Sequence, residues 1–483
     1  MQSIGIIASN SSETEARVIL FDQKEKIVQT ESLVEVNNLN EGKIMAVLRK
    51  GTGNNETLNP GFYNPGVAYA RIGGQPSNAK EIYDFSLSVI GVIGESVEQN
   101  KKIIAPGSPV QLYEDIDNPM AKLAGPNYKH SIGHYVGHPT WSVTVNHTFI
   151  PYHVGIFAST GGGKSFLARH EVIPFLTKTG YSILILDWKG RDYAPHFPKD
   201  QVLSISDIAL DNDTIVSYLS EKMGSFGYVA YGSGEKRGVV TQALESFIYQ
   251  QKWQNLSADK FRSLMENTII SSLNKTNAIS GKPYEEEQRF RRGLSKLHND
   301  HIDNILGTKT PNNLLEITRK KKILVLDMKK TGKNEKLSAF LTLANYFMEI
   351  MQQNEDLDVA LVLDEAPQYC PYKPSGIQSK TTEIIIDICA LGRTHKLCMC
   401  LLSQGIAGEI GINAAVRRNL NTQFVGKIHP LDMMEASNWL SPFNIDPKFL
   451  LSLAPGNFYF MGSMNPSPIP LLLTFELSEK NEM

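Results

Sequence analysis

A glycine-rich stretch between an apolar run and a helix-forming segment gives the strongest chemical signal in the chain. Residues 153–165 read HVGIFASTGGGKS. In such a loop, consecutive backbone N–H groups turn inward around phosphate oxygens, and the positive end of the following helix points to the same place. Lys164 is expected to reach the β- and γ-phosphates, and Ser165 to bind Mg²⁺ through its hydroxyl. The predicted nucleotide-binding residues are Ser159, Thr160, Gly161, Gly162, Gly163, Lys164, Ser165 and Phe166.

One position of this loop departs from the usual P-loop pattern, because Ala158 stands where that pattern begins with glycine. The alternative interpretation of the stretch is a glycine-rich turn that binds no ligand. The order of strand, loop and helix favours the phosphate site, with ATP and Mg²⁺ as cofactors.

A pair of carboxylates follows a second apolar run, DVALVLDE at residues 358–365. Asp364 is expected to hold Mg²⁺ through its water shell. Glu365, one residue further on, is expected to polarise a water molecule in line with the γ-phosphate. A strand that simply ends in a solvated turn is the alternative, and the upstream phosphate loop argues against it.

Two further polar residues accompany a third apolar run, LCMCLLSQ at residues 397–404. Gln404, at the carboxyl end of this run, is predicted to sense the γ-phosphate or to orient water. Arg393 precedes the run in ALGRTHK and is predicted to reach a nucleotide of its own subunit or of a neighbour. The alternatives are a strand cap for Gln404 and a surface ion pair for Arg393.

Length and composition describe an ordinary globular protein rather than a specialised one. The 483 residues exceed one compact core and indicate two or three domains, with 41% hydrophobic and 20% charged residues. The net charge of −2 excludes a uniformly basic nucleic-acid coat, although a ring or cleft can still carry a local positive lining. The four cysteines fit no zinc spacing, and no signal peptide or bilayer-spanning run is evident, so we expect a cytoplasmic protein.

The chain changes character near its first quarter. Residues 1–120 alternate short apolar runs with turns, which is typical of a small β-barrel. Residues 121–480 contain apolar runs separated by helical segments, typical of a mainly parallel sheet covered on both faces. Within this second domain, residues 205–318 are predicted to form a mainly helical insertion, with one further strand considered at GYVAY, residues 227–231. The predicted fold class is thus an α/β protein with an N-terminal barrel.

Taken together, these motifs resemble the HerA family within the HerA–FtsK group of P-loop ATPases. The resemblance rests on HVGIFASTGGGKS, LILDWKGRDY, ALVLDEAPQYCP, ALGRTHKLCMCLLSQ, NLNTQFVGKI and LAPGNFYFMGSMNPSPIP, in this order. It implies a RecA-like core and a hexameric ring that hydrolyses ATP and moves double-stranded DNA. It also implies a partner nuclease, either NurA-like in DNA end processing or an effector in phage defence.

The resemblance carries residue roles as well. By position, Lys164, Glu365 and Gln404 match the family's catalytic residues, and Ser165 and Asp364 its metal ligands. Arg393 matches the arginine expected to act across a subunit boundary. Asp187 is a weaker catalytic candidate, because the KGRDY continuation after it departs from the family pattern.

Two other functions stay open at this stage: a nucleotide-stabilised ring that activates a partner nuclease without motor action, and a ring ATPase that moves protein. For the DNA translocase, sequence-independent phosphate contacts are expected from basic, glycine-containing segments. The candidates for these contacts are residues 232–238, 329–336 and, more weakly, 291–296, and each is also explained as a solvated surface segment.

Overall fold

The computed structural model describes residues 1–59, 64–75, 81–123, 129–224, 239–250, 252–253, 256–280, 283–303, 305–329 and 331–475. The strands are β1 Gln2–Ile7, β2 Glu15–Leu20, β3 Ser32–Asn37, β4 Lys43–Asn55, β5 Glu81–Ile93, β6 Val97–Glu98, β7 Pro109–Leu112, β8 Ser131–Tyr135, β9 Ser142–Thr144, β10 Val154–Phe157, β11 Ser182–Asp187, β12 Val202–Ser204, β13 Ile323–Asp327, β14 Val359–Leu363, β15 Leu397–Ser403, β16 Thr422–Val425, β17 Phe458–Met461 and β18 Leu471–Thr474. The helices are α1 Pro65–Arg71, α2 Met120–Leu123, α3 Lys164–Leu167, α4 Ile173–Lys178, α5 Asn212–Met223, α6 Val239–Tyr249, α7 Ala258–Ser280, α8 Pro283–Leu294, α9 Asn299–Asp303, α10 Pro311–Lys321, α11 Lys333–Gln352, α12 Ile377–Leu391, α13 Ala414–Asn419, α14 Met433–Leu440 and α15 Pro447–Leu451.

The N-terminal strands close into an antiparallel barrel. They follow the order β2-β1-β7-β3-β4-β5, and β5 pairs back with β2, while β6 extends the sheet beyond β5. Inward-facing residues such as Val18, Val34 and Leu87 fill the interior. Because β5 pairs with β2, the six paired strands have no free edge. The apolar residues of the alternating pattern face the interior of this one closed sheet. The domain boundary near residue 120 stays a prediction.

The second sheet has eleven strands in the order β12-β13-β11-β14-β15-β10-β16-β17-β18-β8-β9. The pairs from β12 to β16 are parallel, and those from β16 to β9 are antiparallel. Strands β10, β11, β14 and β15 are buried at every position, because helices and loops cover both faces. These features confirm the predicted α/β class with a mainly parallel sheet.

The helical insertion lies where the sequence predicts it, and one strand that the sequence indicates is antiparallel to its neighbours. Helices α5 to α10 lie between β12 and β13, as predicted for the insertion, while residues 227–231 and 232–238 lie outside the described residues. The run NFYFMG forms β17, which is antiparallel to both of its neighbours. A run that is buried on both faces has the same composition in either direction, so its sequence alone does not reveal the pairing.

A buried ion pair joins the barrel to the second sheet. The side chain of Arg49 is wholly buried and donates from Nε to Glu31 at 2.9 Å. Arg49 also donates from Nη1 to the backbone oxygen of Phe443 at 2.9 Å, and the hydroxyl of Tyr459 donates to Glu31 at 2.9 Å. Since Phe443 and Tyr459 belong to the second domain, the pair couples the two domains through contacts that exclude water.

Replacing Arg49 by methionine should strongly destabilise the protein, because the Glu31 carboxylate would stay buried without its cation. The expected loss in the free energy of unfolding is about 3–5 kcal/mol. Denaturant titration measures it, with Arg17→Met as the matched control, since the Arg17–Asp84 pair lies on the barrel surface and should contribute below about 1 kcal/mol. Equal effects of the two substitutions would contradict the coupling role of Arg49.

Candidate active site

The carboxyl ends of four parallel strands meet where the glycine-rich loop begins. Strand β10 leads into the loop, β15 lies next to it, and β14 and β11 follow in that order. The loop is fixed by its neighbours: the N–H of Ala158 donates to Ser403 at 3.2 Å, that of Ser159 to Lys427 at 2.6 Å, and that of Gly456 to Gly162 at 3.2 Å. The polar residues that end these strands therefore surround one loop.

The glycines give this loop a shape that other residues would not hold. Gly161 and Gly163 have φ angles of +77° and +97°, which other L-residues rarely adopt. A side chain on Gly162 would place its Cβ only 2.9 Å from that of Ala158. The helix begins at Lys164 directly after Gly163, as the sequence predicts, and runs on through a π turn into α4.

The ammonium of Lys164 lies over its own loop. It donates to the backbone oxygen of Ala158 at 2.7 Å and to that of Ser159 at 3.3 Å. Burial lowers the pKa of Lys164, and the carboxylates of Glu365 and Asp364 act in the opposite direction. A cation held between an acceptor-rich loop and two acids is well placed to meet phosphate oxygens.

Asp364 is a buried acid with an unpaired carboxyl oxygen. The residue is 3% exposed, and its Oδ2 atom has no hydrogen-bond partner in the described part of the chain. Burial is the largest cause that raises the pKa of this carboxyl to about 8, and the carboxylates of Asp192 and Glu365 act in the same direction.

The surroundings of Asp364 fit a divalent cation. Carboxylate oxygens of Asp187, Asp192 and Asp364 lie within 4.8 Å of one another. An unpaired buried oxygen among other carboxylates is the donor set that Mg²⁺ prefers. Asp364, together with the hydroxyl of Ser165 at the start of α3, would hold the ion.

A chain of hydrogen bonds connects Glu365 to the phosphate loop. Gln404 donates from Nε2 to Oε1 of Glu365 at 2.7 Å and accepts from the hydroxyl of Thr160 at 3.0 Å. Glu365 itself has a φ of +53°, an unfavourable conformation for a residue with a side chain. The structure thus brings together Thr160, Lys164, Glu365 and Gln404, which the sequence predicted separately.

Asp187 has a different setting from the other acids. Its carboxylate is fully buried and accepts from the N–H groups of Gly190, Tyr193 and Ala194 at 2.9–3.0 Å. These bonds occupy both oxygens and fix the loop that follows β11. The catalytic role suggested for Asp187 stays a prediction, and the geometry shows a residue that shapes the loop.

Arg393 lies at the opposite edge of the sheet from the phosphate loop. Its exposed guanidinium stacks 5.1 Å from the ring centroid of Tyr152, which precedes β10, whereas the loop follows β10. The four residues of this strand span about 13 Å. The side chain of Arg393 therefore points its charge away from the nucleotide loop of its own chain.

A buried histidine holds this second edge together. The N–H of Met399 donates to Nδ1 of His153 at 3.1 Å, and Nε2 of His153 donates to the backbone oxygen of Cys389 at 2.9 Å. Burial lowers the pKa of His153 to about 4, so the ring is neutral near pH 7. It fixes the end of α12 and the start of β15, the elements that carry Arg393 between them.

Two residues of the site were missed in the sequence, and one predicted residue is used for packing. Lys189 and Asp192 belong to KGRDY after β11, and charged residues at the end of a buried parallel strand were the signal that could have identified them. Lys189 pairs with Glu365, and Asp192 joins the acid cluster. The ring of Phe166, predicted to bind nucleotide, stacks on His170 and Phe475.

The central part of the chain matches one protein-family model. Residues 130–345 match the family model described as "Helicase HerA, central domain". These residues are similar to the central domain of the HerA helicase family. The match spans less than half of the chain and includes the glycine-rich loop, while Asp364, Glu365 and Gln404 lie beyond it. With this domain and its P-loop, the chain is a P-loop ATPase.

Several solved structures resemble this chain at low sequence identity. The VirB4 structure of Thermoanaerobacter pseudethanolicus is 13% identical with a TM-score of 0.48, covering 74% of this chain and 98% of that one. The plasmid coupling protein TrwB with the GTP analogue GDPNP is 14% identical with a TM-score of 0.48, covering 76% and 94%. The genome packaging NTPase B204 of Sulfolobus turreted icosahedral virus 2 with AMPPCP is 11% identical with a TM-score of 0.31, covering 67% and 96%. At TM-scores below 0.5, these likenesses do not bear on function.

No curated protein matches the sequence of the chain. Within the described ranges, no helix combines the length and the apolar character that crossing a bilayer requires.

Replacing Asp364 by asparagine should stabilise the protein when no Mg²⁺ is added. Because the folded pKa of about 8 exceeds the unfolded value near 4, the folded chain binds more protons between these pH values, and the carboxyl costs stability as the pH rises. The advantage of Asp364→Asn in the free energy of unfolding should grow from pH 5 to pH 8, reaching about 2–4 kcal/mol.

Unfolding titrations at several pH values, with and without Mg²⁺, measure this effect. Added Mg²⁺ should stabilise the unsubstituted chain more than the variant. Asp356→Asn is the control, because Asp356 is an exposed partner of Lys396. If the stability of the variant relative to the unsubstituted chain instead falls from pH 5 to pH 8, burial does not raise the pKa of Asp364.

Proposed function

We propose that this chain assembles into a hexameric ring that hydrolyses ATP to move along double-stranded DNA and works with a partner nuclease. DNA end processing and phage defence are the two settings in which such a machine acts. The observation that carries the hydrolytic part is the connected set Thr160–Gln404–Glu365 beside Lys164 and the unpaired Asp364. The DNA part rests on the HerA-type central domain together with the N-terminal barrel.

Hydrolysis follows from the positions of these side chains. The N–H groups of the loop and Lys164 bind the β- and γ-phosphates. Ser165 and Asp364 would hold a Mg²⁺ ion, which would offset the negative charge of the phosphates when bound. Glu365 polarises a water molecule, which attacks the γ-phosphorus as the bond to the β–γ bridging oxygen breaks. The water proton passes to Glu365, and ADP and phosphate are the products. The hydrogen bonds of Gln404 fix the position of the Glu365 carboxylate relative to the loop.

The location of Arg393 favours a ring over a monomer. An arginine that stabilises the transferred phosphoryl group must reach it directly, and Arg393 rests at the wrong edge for its own loop. Its exposed position and its support by Tyr152 suit contact with the nucleotide of a neighbouring subunit. Cyclic symmetry would then provide one such contact at each subunit seam.

Burial and ion pairs distinguish the basic residues within two of the three segments predicted to contact DNA. In segment 291–296, Arg291 forms ion pairs with Glu266 and Glu287, so its charge is already compensated. In segment 329–336, Lys336 is buried against Trp188, while Lys329 and Lys333 are exposed. We favour Lys329 and Lys333 for phosphate contacts, which predicts steeply salt-dependent binding without sequence preference.

Linear duplex DNA should stimulate ATP hydrolysis by the unsubstituted protein. Lys164→Ala should weaken ATP binding by at least about tenfold, because the phosphate-facing cation is lost. Glu365→Gln should keep ATP affinity within about threefold and reduce kcat by about 10²–10⁴-fold. Nucleotide titrations and steady-state assays with and without DNA measure these values.

The same variants separate a motor from a scaffold. If Glu365→Gln binds ATP and still supports full activity of the partner nuclease on DNA, the ring acts as a nucleotide-stabilised scaffold and translocation is not its function. If the folded ring hydrolyses ATP neither with nor without duplex DNA, the proposal fails altogether.

A mixing experiment tests whether Arg393 acts across the seam. Lys164→Ala and Arg393→Ala proteins should each be nearly inactive, but mixed rings should regain activity. On random mixing, about a quarter of the seams combine an intact loop with an intact arginine. Differently tagged subunits establish that mixed rings form. Mixed rings without any recovered hydrolysis would contradict action in trans.

A further inference from the structure

The loop after β11 fixes the backbone around Lys189. Gly190 has a φ of +62°, and any Cβ there would lie 2.1 Å from Oδ1 of Asp327, so only glycine fits. The carboxylate of Asp187 binds three N–H groups of this loop, as described above. Lys336 donates to the backbone oxygen of Trp188 at 2.7 Å and stacks on the ring of that residue. The backbone on both sides of Lys189 is thus anchored.

The side chain of Lys189 reaches from this anchored loop into the candidate active site. Its ammonium forms an ion pair with Oε1 of Glu365, the same oxygen that accepts from Gln404. Within the described chain, Oε1 therefore takes both donors, which leaves Oε2 of Glu365 to accept from a water molecule. Two donors on one oxygen fix the rotation of the carboxylate.

The charges around Glu365 favour a second lysine, besides Lys164, as a partner of the phosphates. The acids Asp192, Asp364 and Glu365 gather close to Lys164 and Lys189. A γ-phosphate added beside Glu365 would bring two negative groups together, and their repulsion needs a cation between them. Lys189 is 48% exposed, so its flexible end can shift to contact both groups.

We propose that Lys189 is a second phosphate-binding lysine, which contacts the γ-phosphate of ATP and positions Glu365 for the attack by water. It is a specificity-determining residue, because ADP lacks the group that it contacts. This inference rests on the proposed ATPase mechanism and adds to it the means by which the site tells ATP from ADP.

Lys189→Met tests the proposal through nucleotide selectivity, since methionine keeps the length of the side chain and removes its charge. The dissociation constant of a non-hydrolysable ATP analogue should rise about tenfold, whereas that of ADP should change less than about twofold. The value of kcat should also fall, because Glu365 loses one of its two donors. Lys189→Arg should restore the selectivity at least in part, because it restores the cation.

A matched control comes from the opposite edge of the same sheet. Lys396 is 51% exposed and pairs with Asp356 at 2.8 Å, so Lys396→Met removes a similar ion pair far from the phosphate loop. That variant should leave both dissociation constants unchanged. Equal losses of ADP and analogue binding in Lys189→Met would indicate a structural role and overturn the proposal.

The design separates this inference from the function on which it rests. If the unsubstituted protein binds neither ADP nor the analogue, the proposed ATPase mechanism fails. If it binds both and Lys189→Met keeps the same ratio of dissociation constants and the same kcat, only the role of Lys189 is refuted.

Discussion

The fold gathers more negative charge at one edge of its sheet than its own side chains can neutralise. Asp364 is buried there with an unpaired oxygen, and Asp192 and Glu365 lie nearby. A buried charge without a partner costs free energy, so a chain that keeps one gains something else by it. A bound Mg²⁺ ion would supply positive charge to these acids, and Lys164 and Lys189 would face the phosphates. The rest of the structure serves to hold the acids and lysines in place.

Several separate interactions fix the two edges of the sheet and its contact with the barrel. The parallel strands bring their carboxyl ends together, the glycines shape the phosphate loop, and the carboxylate of Asp187 fixes the loop after β11. At the far edge, His153 ties the segment around Arg393 to β15. The Arg49–Glu31 pair connects the barrel to the second domain through buried hydrogen bonds.

The sequence predicted those parts of the site that depend on local patterns. The helix start at Lys164 followed from the glycines, and Glu365 and Gln404 were found because polar residues that end parallel strands meet at one edge. Lys189 was not found, because its importance depends on a loop fixed by Asp187 and Asp327, residues that are distant from Glu365 along the chain. The edge at which Arg393 lies and the antiparallel direction of β17 depend likewise on tertiary packing. Barrel closure between β2 and β5 is a long-range pairing of the same kind.

A structure of the protein with Mg²⁺ and a non-hydrolysable ATP analogue would show directly whether these acids and lysines bind nucleotide. We expect the triphosphate in the loop of residues 158–165, with the ammonium of Lys164 on the β- and γ-phosphates and the metal ion between Ser165 and Asp364. Nucleotide bound elsewhere, or an Asp364 carboxyl that remains without a contact while the loop is filled, would contradict this expectation.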